Sequence, residues 1–320
     1  MTPPAPGLRC AMGPAEARAY VREAGLQRGV ARRLAALWHG ALAGRLPSGP
    51  RLDLGGGAGT LALALARKGC PPLEVVDCNV ALLRLATGLQ VRPWDLDRGL
   101  PVAEPALLAS NFALHWLARP LESLGQWCRA LRPGGQLLLA VPTSGSFTGW
   151  RQAAQGANVA WTGLPLPSAQ QLQGVLADQL RLRHCCLLQR SQSWPSPLAF
   201  FRHLKRSGLT GGAGGRLGPA ELRRLDRCWP RGPQGNVAVE WEVLVALAER
   251  LNGGGAESRQ GRPRLQGEEG VNGAPSSPGS ESTAWRGPRG WRQTPRRPPC
   301  LARSRTPPIS MAGSRALAMS

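Results

Sequence analysis

Residues 52–60 read Leu52-Asp53-Leu54-Gly55-Gly56-Gly57-Ala58-Gly59-Thr60, and this run decides the fold. Residues 51–54 (RLDL) read as a short strand ending in the glycines, and residues 61–67 (LALALAR) open a helix. Glycines between a strand and a helix let the backbone approach a ligand and adopt angles denied to other residues. The helix N-terminus behind them favours negative groups, by ~0.3–1 kcal/mol. In open α/β sheets such turns sit at the carboxyl ends of the strands, where ligands bind.

Working outward, residues 74–77 (EVVD) predict a second strand and residues 80–87 a helix. A third strand is expected just before Trp94-Asp95. Residues 106–110 (ALLAS) predict a buried strand, 121–131 a helix, and Arg132-Pro133-Gly134-Gly135 a stop and turn. Residues 136–142 (QLLLAVP) predict another buried strand. Upstream, residues 14–43 predict one helix, with Val21, Leu26, Val30, Leu34, Leu37 and Trp38 near a 3.6 period. Downstream, residues 181–191 and 236–249 read as two strands or as a strand and a helix, around a helical patch at 197–229. Strands alternating with helices predict a mostly parallel α/β sheet with helices on both faces.

The chain has 320 residues, enough to bury a sizeable core. Its formal charge is +21, but 38 of the 40 cations are arginine, Ile309 is the sole isoleucine and Tyr20 the sole tyrosine. A G/C-rich coding sequence produces this pattern without selection for nucleic-acid binding, so no nucleic-acid partner is expected. No run of 18 apolar residues exists, and the first ten residues lack the basic-then-apolar order of a secretory leader, so a cytoplasmic protein without membrane contact is expected. The eight cysteines form no C-x-x-C pair, so reduced thiols and no metal site are expected. Residues 253–320 hold 11 arginines against 4 acids and are rich in Gly, Pro and Ser. They cannot bury enough apolar surface to offset their ordering entropy. Domain organisation is therefore read as a body at 1–252 and a disordered tail at 253–320.

The Gly-rich run admits two ligands. From Gly57 it fits the dinucleotide pattern G-x-G-x-x-A. From Asp53 it reads D-x-G-x-G-x-G, which resembles the first motif of class I S-adenosylmethionine (SAM)-dependent methyltransferases. Asp77, 18 residues after Gly59, closes the next strand, where an acid accepts the ribose hydroxyls of either cofactor. Ser110-Asn111-Phe112-Ala113-Leu114-His115-Trp116, followed by Leu131-Arg132-Pro133-Gly134-Gly135, is similar to the small-molecule methyltransferase core and unlike a dehydrogenase. Nucleic-acid amino-methyltransferases carry N-P-P-Y or D-P-P-Y where this chain has Ser110-Asn111-Phe112-Ala113.

One family is a closer match. From about residue 14 to 250 the chain resembles malonyl-acyl-carrier-protein O-methyltransferase of the biotin pathway. The resemblance rests on Ala17, Tyr20, Ala24, Leu26, Gln27 and Arg28, on the core just described, on Gly145-Ser146-Phe147 with Trp150-Arg151, and on Leu204-Lys205-Arg206-Ser207-Gly208-Leu209-Thr210. Gly235 and Trp241-Glu242 extend it. The chain departs from the family at Glu104-Pro105-Ala106-Leu107-Leu108, where a Phe-Asp pair is missing and the segment is about two residues short. His115 also replaces a frequent Gln.

The resemblance implies a Rossmann-like, seven-stranded methyltransferase domain with SAM as methyl donor. Cofactor contacts would come from Asp53, Gly55, Gly57, Gly59, Asp77, Asp95 and Asn111. The reaction would convert the free carboxylate of malonyl-ACP to its methyl ester. That carboxylate is already ionised near pH 7, so no general base is required. Acceptor-positioning candidates are Tyr20, His115, Trp116 and Lys205, with residues 14–43 as a lid that Gln27 and Arg28 help to order. The acidic carrier would dock on Arg202, Lys205, Arg206, Arg223 and Arg224 of the inserted patch. A monomer is expected. Other readings are another small-molecule methyltransferase, such as a quinone-pathway enzyme, or a SAM-binding protein with impaired catalysis.

Overall fold

The computed structural model describes residues 12–206, 217–251 and 291–294. Its centre is one sheet in the order β3-β2-β1-β4-β5-β7-β6-β8. The strands are β1 (Arg51–Leu54), β2 (Glu74–Asp77), β3 (Val91–Pro93), β4 (Leu107–Asn111), β5 (Gln136–Pro142), β6 (Arg181–Trp194), β7 (Val237–Glu249) and β8 (Trp291–Thr294). The first five are parallel, while β7 runs antiparallel to both β5 and β6. The first seven strands are those expected for a Rossmann-like methyltransferase sheet.

Side-chain alternation sorts the two faces. Along β5, Leu138 and Ala140 join one core with Val75 of β2 and Leu107 and Ala109 of β4. Leu137, Leu139 and Val141 join the other. Helices α2 (Gly25–Ala41) and α3 (Thr60–Ala66) cover the first face through Val30, Leu34, Trp38, Leu61 and Leu65. Helices α5 (Pro120–Ala130) and α7 (Ala169–Gln179) cover the second through Leu124, Trp127, Leu172 and Leu176. A third, aromatic core gathers Phe147, Trp150, Phe200, Trp229, Val237 and Val239 beneath α6 (Thr148–Gly156), α8 (Pro197–Arg206) and α9 (Pro219–Cys228). The remaining helix, α4 (Val80–Leu83), follows β2.

Four readings need adjustment. The helix expected over 14–43 is two, α1 (Pro14–Glu23) and α2, broken at Ala24 (ψ 44°) ahead of Gly25. The Arg28 guanidinium donates to the exposed Val21 and Arg22 carbonyls, so it caps the end of α1 and holds the elbow. Residues 181–194 and 237–249 are both strands, because β7 lies between β5 and β6 and is paired along both edges. The helical patch is α8 and α9, and residues 207–216, including Ser207 to Thr210, lie outside the described residues. Within the tail read as disordered, Trp291–Thr294 forms β8 on Leu187 to Arg190 of β6, where an edge strand offers unpaired backbone groups. The rest of 253–320 lies outside the described residues.

Among the described residues no helix is long and apolar enough to cross a membrane, and no cluster of metal-ligating side chains exists. Cys70, Cys128, Cys185, Cys186 and Cys228 carry free thiols. Cys78 is disulfide-bonded, which departs from the expectation of reduced thiols throughout.

Candidate active site

Strand order reverses between β1 and β4, so the crevice outside their carboxyl ends is where an open α/β sheet takes its ligand. The Gly-rich turn fills this place. Gly55, Gly57 and Gly59 have φ of 62°, 54° and 75°, the left-handed region that disfavours side chains. A Cβ on Gly55 would stand 2.2 Å from Cβ of Ala113, which follows β4. The turn therefore lies flat against the segment after β4, and its backbone is the floor of the crevice.

Two acids flank it. Asp77 ends β2, and its Oδ2 accepts from Gly57 N–H at 2.9 Å while Oδ1 accepts from Asn79 N–H at 2.8 Å. Burial raises its pKa, and the N–H groups of Asn79, Gly57 and Cys78 pull it partly back. Asp53 is fully buried in β1. Its Oδ2 accepts from Ala62 N–H at 3.0 Å, and its Oδ1 has no protein partner. Burial pushes its carboxyl up to about 7; the Ala62 bond lowers it and the Asp77 charge raises it further.

The sign of the resulting pH dependence follows. Asp53 takes up its proton at higher pH in the folded than in the unfolded chain, where its value is 3.8. Its stabilising contribution is complete below that value and is lost as pH rises through about 7. Asp53→Asn is therefore expected to flatten the fall in melting temperature between about pH 4 and pH 7 relative to the wild type. Parallel melting profiles for the two proteins would contradict this.

The other residues read from sequence are dispersed. Asp95 caps the 3-10 turn Leu96–Arg98, its Oδ1 accepting from Asp97 N–H at 3.0 Å. Asn111 ends β4, and its Nδ2 donates to the Gln27 carbonyl at 3.1 Å, tying the crevice to α2; its Oδ1 is buried without a partner. His115 is buried, packed on Phe112 and Trp116, and burial alone lowers its pKa to about 3. It is a neutral packing residue with an unpartnered Nδ1. Trp116 is half-buried beside it.

A small, partly open cavity lies between α1, α2, α8 and the paired strands β6 and β7. Tyr20, Glu23, Gln27, Gln192, His203 and Trp241 line it, with Ala24, Leu26, Phe200 and Leu204 as its apolar wall. Tyr20 joins cavity and crevice: burial, then the charge of Asp77, push its phenol up to about 12, so it is a protonated donor. Gln27 lies in the same wall, although the break at Ala24 means that helical spacing does not put it there. Lys205 is exposed and does not line the cavity. Helix α8 turns Phe200, His203 and Leu204 inward, and Lys205 falls on the opposite side of the helical circuit.

Sequence reasoning passed over Gln192 and Glu23, and took Trp241 only as part of the family resemblance and His203 only as a neighbour of Lys205. Trp241 Nε1 donates to Gln192 Oε1 at 3.2 Å, and its ring meets Phe112 and Phe147 at 6.1 and 4.6 Å. Both phenylalanines have positive φ (59° and 62°), a strained state for bulky side chains. Phe112 directly follows β4 and Phe147 is the N-cap of α6, and both pack against Trp241 of the cavity wall. Glu23 did leave a signal, since an acid in the last turn of a helix opposes the macrodipole.

The site fits SAM on this structure's own terms. The turn offers a glycine cradle that side chains would fill, Asp77 faces it with a carboxylate, and Asp53 and Asn111 present buried oxygens without protein partners. The chain matches the family described as "Methyltransferase domain" over residues 25–193. It is 30% identical over 226 residues to a malonyl-[acyl-carrier protein] O-methyltransferase of Methylococcus capsulatus, covering 64% of this chain and 80% of that enzyme. It is also 35% identical to a trans-aconitate 2-methyltransferase of Rhizobium meliloti, but over 102 residues, 30% of this chain and 40% of that enzyme. A Bacillus halodurans C-125 protein described as a methyltransferase shares the fold, with a TM-score of 0.50 at 14% identity over 68% of this chain and 99% of its own. The chain is a SAM-dependent methyltransferase and belongs to the malonyl-acyl-carrier-protein O-methyltransferase family of the class I enzymes.

Proposed function

We propose that the enzyme methylates the free carboxylate of a malonyl group carried on acyl carrier protein, as a step of biotin synthesis. What supports this reading is the extent of similarity: the alignment with the malonyl enzyme runs over 226 residues, against 102 with the trans-aconitate enzyme. The cavity's lining of Tyr20, Gln27, Gln192 and His203 against an apolar wall suits a small polar acyl group.

Bound SAM supplies a methyl group on a cationic sulfur. The protein's part is to bring a carboxylate to it in line and dry, which supplies up to ~7–11 kcal/mol in well-aligned cases. A carboxylate attacks in its ionised form, so the pocket needs donors and no base. Tyr20 is a protonated phenol, and Gln27 and Gln192 add amide groups in the same wall. Neutral donors suit this reaction, because a strong cation on the attacking oxygen would stabilise the ground state more than the transition state. Helix α1 supplies one wall of the cavity through Tyr20 and Glu23, and serves as its lid in this reading.

On the outside, Arg202, Lys205 and Arg206 of α8 and Arg223 and Arg224 of α9 are exposed on two packed helices. This basic face suits an acidic carrier, and gives Lys205 an outward role in place of acceptor contact. The test is a methyl-transfer assay with labelled SAM and malonyl-ACP, malonyl-CoA and trans-aconitate side by side. Malonyl-ACP is expected to have the lowest KM, rising steeply with salt. Transfer to trans-aconitate alone would replace the malonyl reading; donor binding without transfer to any of the three would make the protein a binder.

A further inference from the structure

The cavity holds one acid and one imidazole among its lining residues, and they are paired. Glu23 is the last residue of α1, and its Oε2 meets His203 Nδ1 of α8. A carboxylate can only accept, so Nδ1 carries the proton whether or not the ring is charged. The His203 ring rests on Trp194 at 4.7 Å, which fixes its plane. Both side chains are well covered, with 18% of His203 and 30% of Glu23 exposed. The pair joins the lid to the helical insert across the cavity in which the acceptor carboxylate has to lie.

We infer that Glu23 is an internal stand-in for the acceptor: it occupies His203 until the substrate carboxylate displaces it, and returns once that carboxylate has become an ester. The inference rests on a carboxylate acceptor, as proposed above, and adds the residue that recognises it. The exchange balances. One carboxylate replaces another on Nδ1–H, Glu23 moves to solvent from its partly exposed position at the helix end, and no proton changes hands. The oxygen held by His203 is the non-attacking one, leaving its neighbour free for the methyl group. After transfer the ester is uncharged and its oxygens are weaker acceptors, so Glu23 regains the imidazole. The same contact thus separates substrate from product and drives release. It also disfavours acceptors without a carboxylate, which cannot displace Glu23.

A latch that merely closes the lid makes a different prediction from a stand-in. Removing either member of a latch harms the enzyme in the same direction. For a stand-in the two changes have opposite signs. Glu23→Gln removes the competitor and is expected to lower the KM and Kd for malonyl-ACP about three- to ten-fold, with tighter product inhibition. His203→Gln, which moves the donor off the Nδ1 position, is expected to raise both about ten-fold or more. His203→Asn keeps an N–H near Nδ1 and should recover much of the loss. Affinity for S-adenosylhomocysteine, measured by calorimetry, serves as the folding control and should stay within about two-fold, below the scale of one hydrogen bond.

The acceptor Kd is measured in the S-adenosylhomocysteine complex, so the answer does not depend on turnover. A rise in Kd for both Glu23→Gln and His203→Gln would overturn the inference and leave a latch. Equal binding of malonyl-ACP and its methyl ester by the wild type would overturn it as well. Should malonyl-ACP not bind while trans-aconitate does, the malonyl reading fails and the opposed shifts are sought on trans-aconitate. Their absence there would overturn the stand-in separately.

Discussion

Asp77→Ala is expected to weaken SAM binding about 100-fold or more, because hydrogen bonds to a charged group contribute about 1.5–3 kcal/mol each and the carboxylate offers two oxygens to the ribose. Each Asp77 oxygen already accepts one backbone N–H, from Gly57 and from Asn79, and each keeps a further lone pair. The substitution therefore acts twice. It removes the ribose acceptor and frees Gly57 N–H, which fixes the glycine turn beneath the ligand. Asp77→Asn retains one carbonyl oxygen and should fall between alanine and the wild type. Calorimetric titration with S-adenosylhomocysteine measures the effect. A Kd within about three-fold of wild type for Asp77→Ala, less than one net hydrogen bond is worth, would remove Asp77 from the cofactor site.

Trp38→Ala should give the largest loss of stability, about 3–5 kcal/mol for a large aromatic deleted from a core. For a body of this size that corresponds to roughly 6–20 °C in melting temperature. Trp38 is 1% exposed in α2, and its Nε1 donates to Oε1 of fully buried Gln136 at 2.8 Å. Gln136 Nε2 donates in turn to the Leu42 carbonyl at 3.1 Å, just past the end of α2. The triad pins α2 to the first residue of β5. Trp38→Phe keeps most of the apolar volume but strands Gln136 Oε1, at about 1–3 kcal/mol. Adding Gln136→Leu to Trp38→Phe should then destabilise by less than the sum of the single changes, since the orphaned acceptor is removed with its partner. Additive losses in thermal unfolding would mean that the bond contributes nothing. Because α2 also carries the Gln27 carbonyl held by Asn111, a loosened α2 should raise the acceptor KM as well.

The strand–glycine–helix unit was legible because its determinants are local. Positive φ demands glycine, a buried strand demands an apolar run, and Asp77 falls one crossover later. The alternation of β5 likewise places Leu137 and Leu138 on opposite faces without reference to any other strand. The seven-stranded sheet and its glycine turn follow from such signals, repeated along the chain. β7 was ambiguous for a local reason too: a continuous apolar run has no period with which to tell strand from helix, and only pairing with β5 and β6 decides it.

The cavity proposed for the acceptor was not legible, because no single stretch of chain contains it. It needs the elbow at Ala24, which the 3.6 period runs straight through and which Arg28 fixes by capping carbonyls six and seven residues back. It needs α8 packed so that His203 faces inward and Lys205 outward, although a scarce lysine was the more conspicuous residue in the sequence. It needs β6 and β7 paired so that Gln192 reaches Trp241. The sequence by itself determined the methyltransferase sheet, its glycine turn and Asp77, since backbone sterics and burial act over a few residues. Only the tertiary structure decided which side chains form the cavity wall, and that Glu23 and His203 meet there, because a contact 180 positions apart depends on how helices pack rather than on what either segment prefers.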